Sequence, residues 1–195
     1  MIQNIPYHFN PMPVYRGGSN EPSIPLTFIG KDSSNAIQLN RTGLGEEGWP
    51  SPWPDPISIK YSKNGGTWTN YTWTEGDGDL IEFNQGDTVA FSGNNKYFSK
   101  NSSLYYVFAM TGTIEASGNV QSLMNFSNKL SAICFCKLFE NCTSLTKAPD
   151  LPATKLAASC YDNMFYGCTN LRTPPSTLPA TELAYNCYNC MFSLC

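Results

Sequence analysis

Between Leu26 and about Tyr106 apolar and polar residues alternate in short runs broken by turn residues, the period-two signature of strands buried on one face. The runs Leu26 to Ile29, Ala36 to Asn40, Ile57 to Tyr61, Trp68 to Trp73, Leu80 to Phe83 and Thr88 to Ser92 each predict a strand. Lys63-Asn64-Gly65-Gly66 predicts a hairpin, because Asn and Gly tolerate the positive φ that tight hairpin turns demand. Asn84-Gln85-Gly86-Asp87 predicts a second turn. Short strands at this spacing imply a small antiparallel, immunoglobulin-like β-sandwich over residues 26–100.

From Cys134 onward the pattern becomes a tandem repeat. Cys134-Phe135-Cys136-Lys137-Leu138-Phe139-Glu140-Asn141-Cys142 aligns with the block Cys160 to Cys168 and then with the block Cys187 to Cys195, at offsets of 26 and 27 residues (134 to 160, 160 to 187). Leu151-Pro152-Ala153-Thr154-Lys155-Leu156-Ala157 recurs as Leu178-Pro179-Ala180-Thr181-Glu182-Leu183-Ala184. A period in the twenties belongs to units that bury their apolar side only by stacking, as in leucine-rich solenoids. Within a unit the sequence predicts a short helix: Thr154 caps it, Leu156, Cys160 and Met164 face inward, and Gly167 ends it. The expected fold is therefore mainly β with a short α/β part, and the repeat core is Cys134, Cys142, Leu156, Cys160, Met164, Cys168, Leu183, Cys187 and Met191.

Residues 101–133 carry isolated apolar points, Tyr105, Val107, Ile114, Val120 and Leu123, broken by Gly112 and Gly118. They read as a bridge that caps the first repeat. Residues 1–25 hold Pro6, Pro11, Pro13, Pro22 and Pro25, a density that forbids helix and disfavours a central strand. They read as an extended arm, and Ile5, Tyr7, Phe9, Met12, Tyr15 and Arg16 make it more apolar and aromatic than a solvated linker requires, as an anchoring segment would be. Cys195 stands where Cys142 and Cys168 precede a polar pair, a leucine and a proline-rich return, so the repeats are expected to continue beyond it.

Composition narrows the chemistry. The 195 residues carry a formal net charge of −3 with only 14% charged residues, which gives no basic footprint for nucleic acid. No apolar run reaches the ~18 residues of a membrane span, and the N-terminus has neither the basic nor the apolar region of a secretory signal. The lone histidine, His8, lies in the arm, remote in sequence from every cysteine, which disfavours a Cys-His or Ser-His-Asp centre. No enzyme and no cofactor is expected. Six of the eight cysteines fall into two columns, Cys134, Cys160, Cys187 and Cys142, Cys168, Cys195, read as reduced, buried small hydrophobes. The alternatives are disulfides, or zinc through Cys134, Cys136, Cys187 and Cys190, although Cys136 and Cys190 occupy different repeat positions. Glu75 to Asp79 lacks the ligand spacing of a calcium loop and reads as a solvated turn. Core packing accounts for Trp68 and Trp73, which leaves Trp49 and Trp53, in a Pro-rich loop, as aromatics available to a ligand.

The stretches Cys160-Tyr161-Asp162-Asn163-Met164-Phe165-Tyr166-Gly167-Cys168-Thr169-Asn170-Leu171 and Leu151 to Ala157 resemble the BspA-like leucine-rich repeats of gut Bacteroidales surface proteins and of the fibre and virion proteins of their crAss-like phages. Ile59 to Trp68, Gly86 to Phe91 and Gly112 to Asn119 are similar to the β-domain that precedes such repeats. The resemblance covers residues 26–195 and implies a phage head or tail fibre or spike on the virion surface. Its partners would be other virion proteins, held through the arm, its own copies in a homo-oligomer, with a trimer favoured, and a host-surface glycan or protein. The alternative it implies is a bacterial cell-surface adhesin that binds a host protein or glycan.

Overall fold

The structure, a computed structural model, describes residues 24–42, 57–74 and 77–195, and among them it is mainly β. Eleven short strands form two main sheets and a small ribbon. In chain order they are β1 (Leu26–Gly30), β2 (Asn35–Arg41), β3 (Ile59–Lys63), β4 (Thr69–Asn70), β5 (Trp73–Thr74), β6 (Asp77–Gly78), β7 (Ile81–Phe83), β8 (Thr88–Gly93), β9 (Tyr106–Thr111), β10 (Ile114–Ser117) and β11 (Leu145–Lys147). The first sheet has the order β11-β10-β1-β8-β3-β4, the second β7-β2-β9, and β5 pairs with β6. Every pairing is antiparallel except β10 with β11.

Alternation along the strands sets which side chains go inward. In β1, Leu26, Phe28 and Gly30 are buried while Thr27 and Ile29 are half-buried. Phe28 and Phe91 of the first sheet meet Phe108 of the second, with ring centroids 5.1 Å and 5.3 Å away. The predicted hairpin joins β3 to β4, with Asn64 at φ 52° and Gly65 at φ 68° and the Gly66 N–H bonded to the Lys63 carbonyl. The span Trp68 to Trp73, expected as one strand, is two: β4 belongs to the first sheet and β5 to the ribbon. The break falls at Tyr71 and Thr72, where the Tyr71 hydroxyl accepts from the Leu39 N–H and donates to the Asp79 carbonyl, and Thr72 bonds Asp79 through backbone and side chain. Residues 101–133 supply β9 and β10, one to each main sheet, and Gly112 at φ 81° is the turn between them.

No α-helix occurs among the described residues, which corrects the expected α/β part. In place of helices the repeats hold three turned segments, 132–141, 158–167 and 185–194, here called rungs. In the second rung the N–H groups of Cys160, Asp162, Met164, Tyr166 and Cys168 bond carbonyls three residues back. The intervening N–H groups, of Ser159, Tyr161, Asn163, Phe165 and Gly167, instead bond Tyr185, Cys187, Asn189, Met191 and Ser193 of the third rung at 2.9–3.1 Å. A helix needs negative φ throughout, whereas every fourth residue here is left-handed: Ile133, Lys137, Asn141, then Ser159, Asn163, Gly167, then Asn186, Cys190, Leu194, at φ between 49° and 73°. Inward residues recur four apart, as in Cys160, Met164 and Cys168, and over so short a span a period of four imitates the helical 3.6.

One apolar core runs through both regions, from Leu26 and Phe28 to Cys187 and Met191. Two aromatic columns carry it down the stack. Phe98, Phe135, Tyr161 and Tyr188 stack at 5.8–6.0 Å with ring planes within 21°, and Phe108, Phe139, Phe165 and Phe192 at 5.3–5.5 Å within 14°. Phe98 and Phe108 belong to the strand region, so its edge is the first layer of the stack. No described helix is long and apolar enough to cross a membrane.

Candidate functional site

Each rung turns its side chains in pairs, Cys160-Tyr161 and Met164-Phe165 inward with Asp162-Asn163 between them on the outer side, so chemistry is sorted by side. Cys134, Cys142, Leu156, Cys160, Met164, Cys168, Cys187 and Met191 are all buried. Leu183 is the exception at 67% exposure: its equivalent Leu156 lies under the next layer, and no described residue covers Leu183 in the same way. The aromatic columns were not singled out in the sequence, although Phe139, Phe165 and Phe192 recur at the same offsets as the cysteines.

All eight cysteines are unpaired, and Cys190 and Cys195 are exposed. The two columns bond differently. Cys142, Cys168 and Cys195 direct their thiols back to the carbonyls of Phe108, Phe139 and Phe165, at 2.6, 3.0 and 3.1 Å. Cys134 and Cys160 point forward to Cys160 and Cys187 carbonyls at 4.0 Å, a weak contact. Burial pushes three of the thiols up from an ordinary 9.0, to about 11 at Cys136 and about 12 at Cys160 and Cys168. Such thiols stay protonated at neutral pH and are poor nucleophiles and poor metal ligands. Among the described residues no group of three or more His, Cys, Asp or Glu is placed to hold a metal ion.

The outward sides carry polar rows that bridge rungs. Asp162 accepts from Asn163 at 2.7 Å and from Asn189 of the next rung at 2.9 Å. Asn170 donates to the Thr143 carbonyl at 2.9 Å, and Lys155 pairs with Glu182 at 2.6 Å. The last pair is largely exposed and contributes little to stability, ~0–1 kcal/mol. Where the first rung meets β9, Lys137 pairs with Glu140 at 3.1 Å and sits 4.9 Å over the Tyr105 ring, whose hydroxyl donates to Glu140 at 2.7 Å. Burial and this carboxylate push Tyr105 well above the usual phenol range.

In the strand region a cleft of about 660 Å³ lies between the two sheet edges, lined by Tyr61, Lys63, Thr67, Thr69, Leu80, Ile81 and Glu82. Trp73 packs on the core and donates its indole N–H to the Leu39 carbonyl, while Trp68 is half-buried beneath the Lys60 ammonium at 5.3 Å. Asp77 lies in β6 and Asp79 is engaged with Thr72, so their carboxylates do not converge on a cation. The arm residues Ile5, Tyr7, Phe9, Met12, Tyr15 and Arg16, and the loop residues Trp49 and Trp53, lie outside the described residues. Comparisons with family models, curated proteins and solved structures return no match to this chain.

Proposed function

We propose that this chain is a surface component of a phage virion, a head or tail fibre or spike, fixed by residues 1–25 and presenting its repeats to a host-surface glycan or protein. In this reading the strand region is an immunoglobulin-like sandwich and the rungs are a leucine-rich-like solenoid. The observation that carries it is the in-register stack, which sets polar side chains of successive rungs side by side on one outward row, Asp162 against its equivalent Asn189 with Asn163 beside them. A periodic polar face on a continuous core suits many weak contacts, and a trimer would multiply them. The apolar, proline-limited arm supports attachment: ordering coil costs ~1–2 kcal/mol per residue, which a partner surface offsets and prolines reduce beforehand.

The direct experiment deletes residues 1–25 and asks whether the protein still copurifies with particles. Loss of copurification with the stack intact is the expected result. Retention at the wild-type level would remove the anchoring role and favour the cell-surface adhesin instead.

A further inference from the structure

The end of the stack farthest from the strand region presents only hydrogen-bond donors. Equivalents of the second rung's five inter-rung donors are the N–H groups of Asn186, Tyr188, Cys190, Phe192 and Leu194, and none has a partner among the described residues. The carbonyls of residues 184–193 are all taken. Those of Tyr185, Cys187, Asn189, Met191 and Ser193 accept from the second rung, and those of Ala184, Asn186, Tyr188, Cys190 and Phe192 close turns within the third. At the opposite end three of the first rung's five equivalent acceptors are covered by the strand region: Phe98 and Phe108 donate to Cys134 and Leu138, and the Ser99 hydroxyl to Cys136. The stack therefore has a polarity, acceptors toward the strand region and donors away from it.

The same face is apolar. Leu183, Tyr185 and Leu194 are 67%, 79% and 67% exposed, and the rings of Tyr188 and Phe192 end the two aromatic columns. A row of unpaired N–H groups beside open ring faces is a template for adding backbone. Two copies apposed through it would set donor against donor with no acceptor between them.

We propose that this face docks one further rung of the same turned pattern: a segment that presents carbonyls at alternate residues, with aromatic side chains four apart that continue both columns. The occupant follows from continuity, since the third rung already meets the second in this way, with the same five bonds and the same ring stacking. The inference stands whether or not the particle reading holds, because it concerns backbone polarity alone.

The test uses the whole chain in two forms. In the first, a synthetic peptide with the sequence of residues 182–195 is added in excess. In the second, residues 169–195 are duplicated after Cys195, so that the tether removes the cost of bringing two molecules together. Hydrogen exchange at Tyr188, Cys190, Phe192 and Leu194 is expected to slow by more than about tenfold in the duplicated chain, and alkylation of Cys190 to slow with it. Slowing by the peptide as well would show docking in trans; slowing in the duplicated chain alone still supports the proposal. A duplicated chain with exchange unchanged overturns it. So does a chain that dimerises by itself and becomes monomeric on Tyr185→Asp, because donor-to-donor apposition would then be the real use of the face.

Discussion

The strand region and the stack solve one problem, the pairing of buried backbone, in opposite ways. In the strand region a residue's neighbours are fixed by antiparallel register, as in Ala36 to Thr111 across to Arg41 with Tyr106, and turns occur only between elements. In the stack the turn is the element. Alternate N–H groups close it locally and the rest reach the next rung, so no rung can satisfy its backbone alone. A strand sheet thus tolerates wide sequence variation so long as alternation holds, whereas a rung must place a left-handed residue at every fourth position. Gly167 shows the constraint from the other side: at φ 73° an added Cβ would meet the Asn141 amide of the preceding rung.

If the two regions are one folding unit, the largest effect comes from a ring that belongs to both. Phe139 stacks on Phe108 and Phe165 and touches Phe28 at 6.2 Å. Phe139→Ala is expected to cost ~3–5 kcal/mol in urea unfolding, with strand and stack signals lost in a single transition. Two separated transitions would break the comparison into independent domains.

The next effect is on pH. Thiols of the unfolded chain ionise near 9, while those of Cys136, Cys160 and Cys168 are held to about 11 and 12 by burial. Above pH 9 the unfolded chain therefore binds fewer protons than the folded one, so stability falls as pH rises toward 11 and has no slope from these groups below about pH 8. Denaturation midpoints measured across that range check it, and a flat profile to pH 11 would mean that the stack opens to solvent.

The smallest effect separates the regions by sign. Tyr71→Phe strips the Leu39 N–H and the Asp79 carbonyl of a partner and should destabilise by ~1–3 kcal/mol. Tyr161 is buried with a hydroxyl that has no protein partner, so Tyr161→Phe should stabilise by up to ~1 kcal/mol. Equal signs in thermal unfolding would mean that the Tyr161 hydroxyl is satisfied by water.

Much of this was legible in the chain. The alternation at Leu26 to Ile29 and Ala36 to Asn40 located β1 and β2, Asn64-Gly65 located its hairpin, and the 26- and 27-residue offsets placed both cysteine columns in register. β9 and β10 were missed because Gly112 reads as a breaker, when its positive φ is what lets the chain pass from one sheet to the other. The rung was mistaken for a helix because side-chain spacing reports which face is buried and not where the amide protons go. Only the recurrence of Asn141, Asn163, Gly167 and Asn186, residues tolerant of positive φ, hinted at the turned path, and Ile133, Lys137 and Leu194 at equivalent positions hid it.

The polarity of the stack also sets a direction in time. A ribosome releases the strand region first, and with it the Phe98, Ser99 and Phe108 groups that receive the first rung. Each completed rung then holds out its donors until the next stretch of chain brings carbonyls, so growth proceeds layer by layer in the order of synthesis. The molecule is in this sense its own seed crystal, and the strand region is the surface on which the first layer is laid.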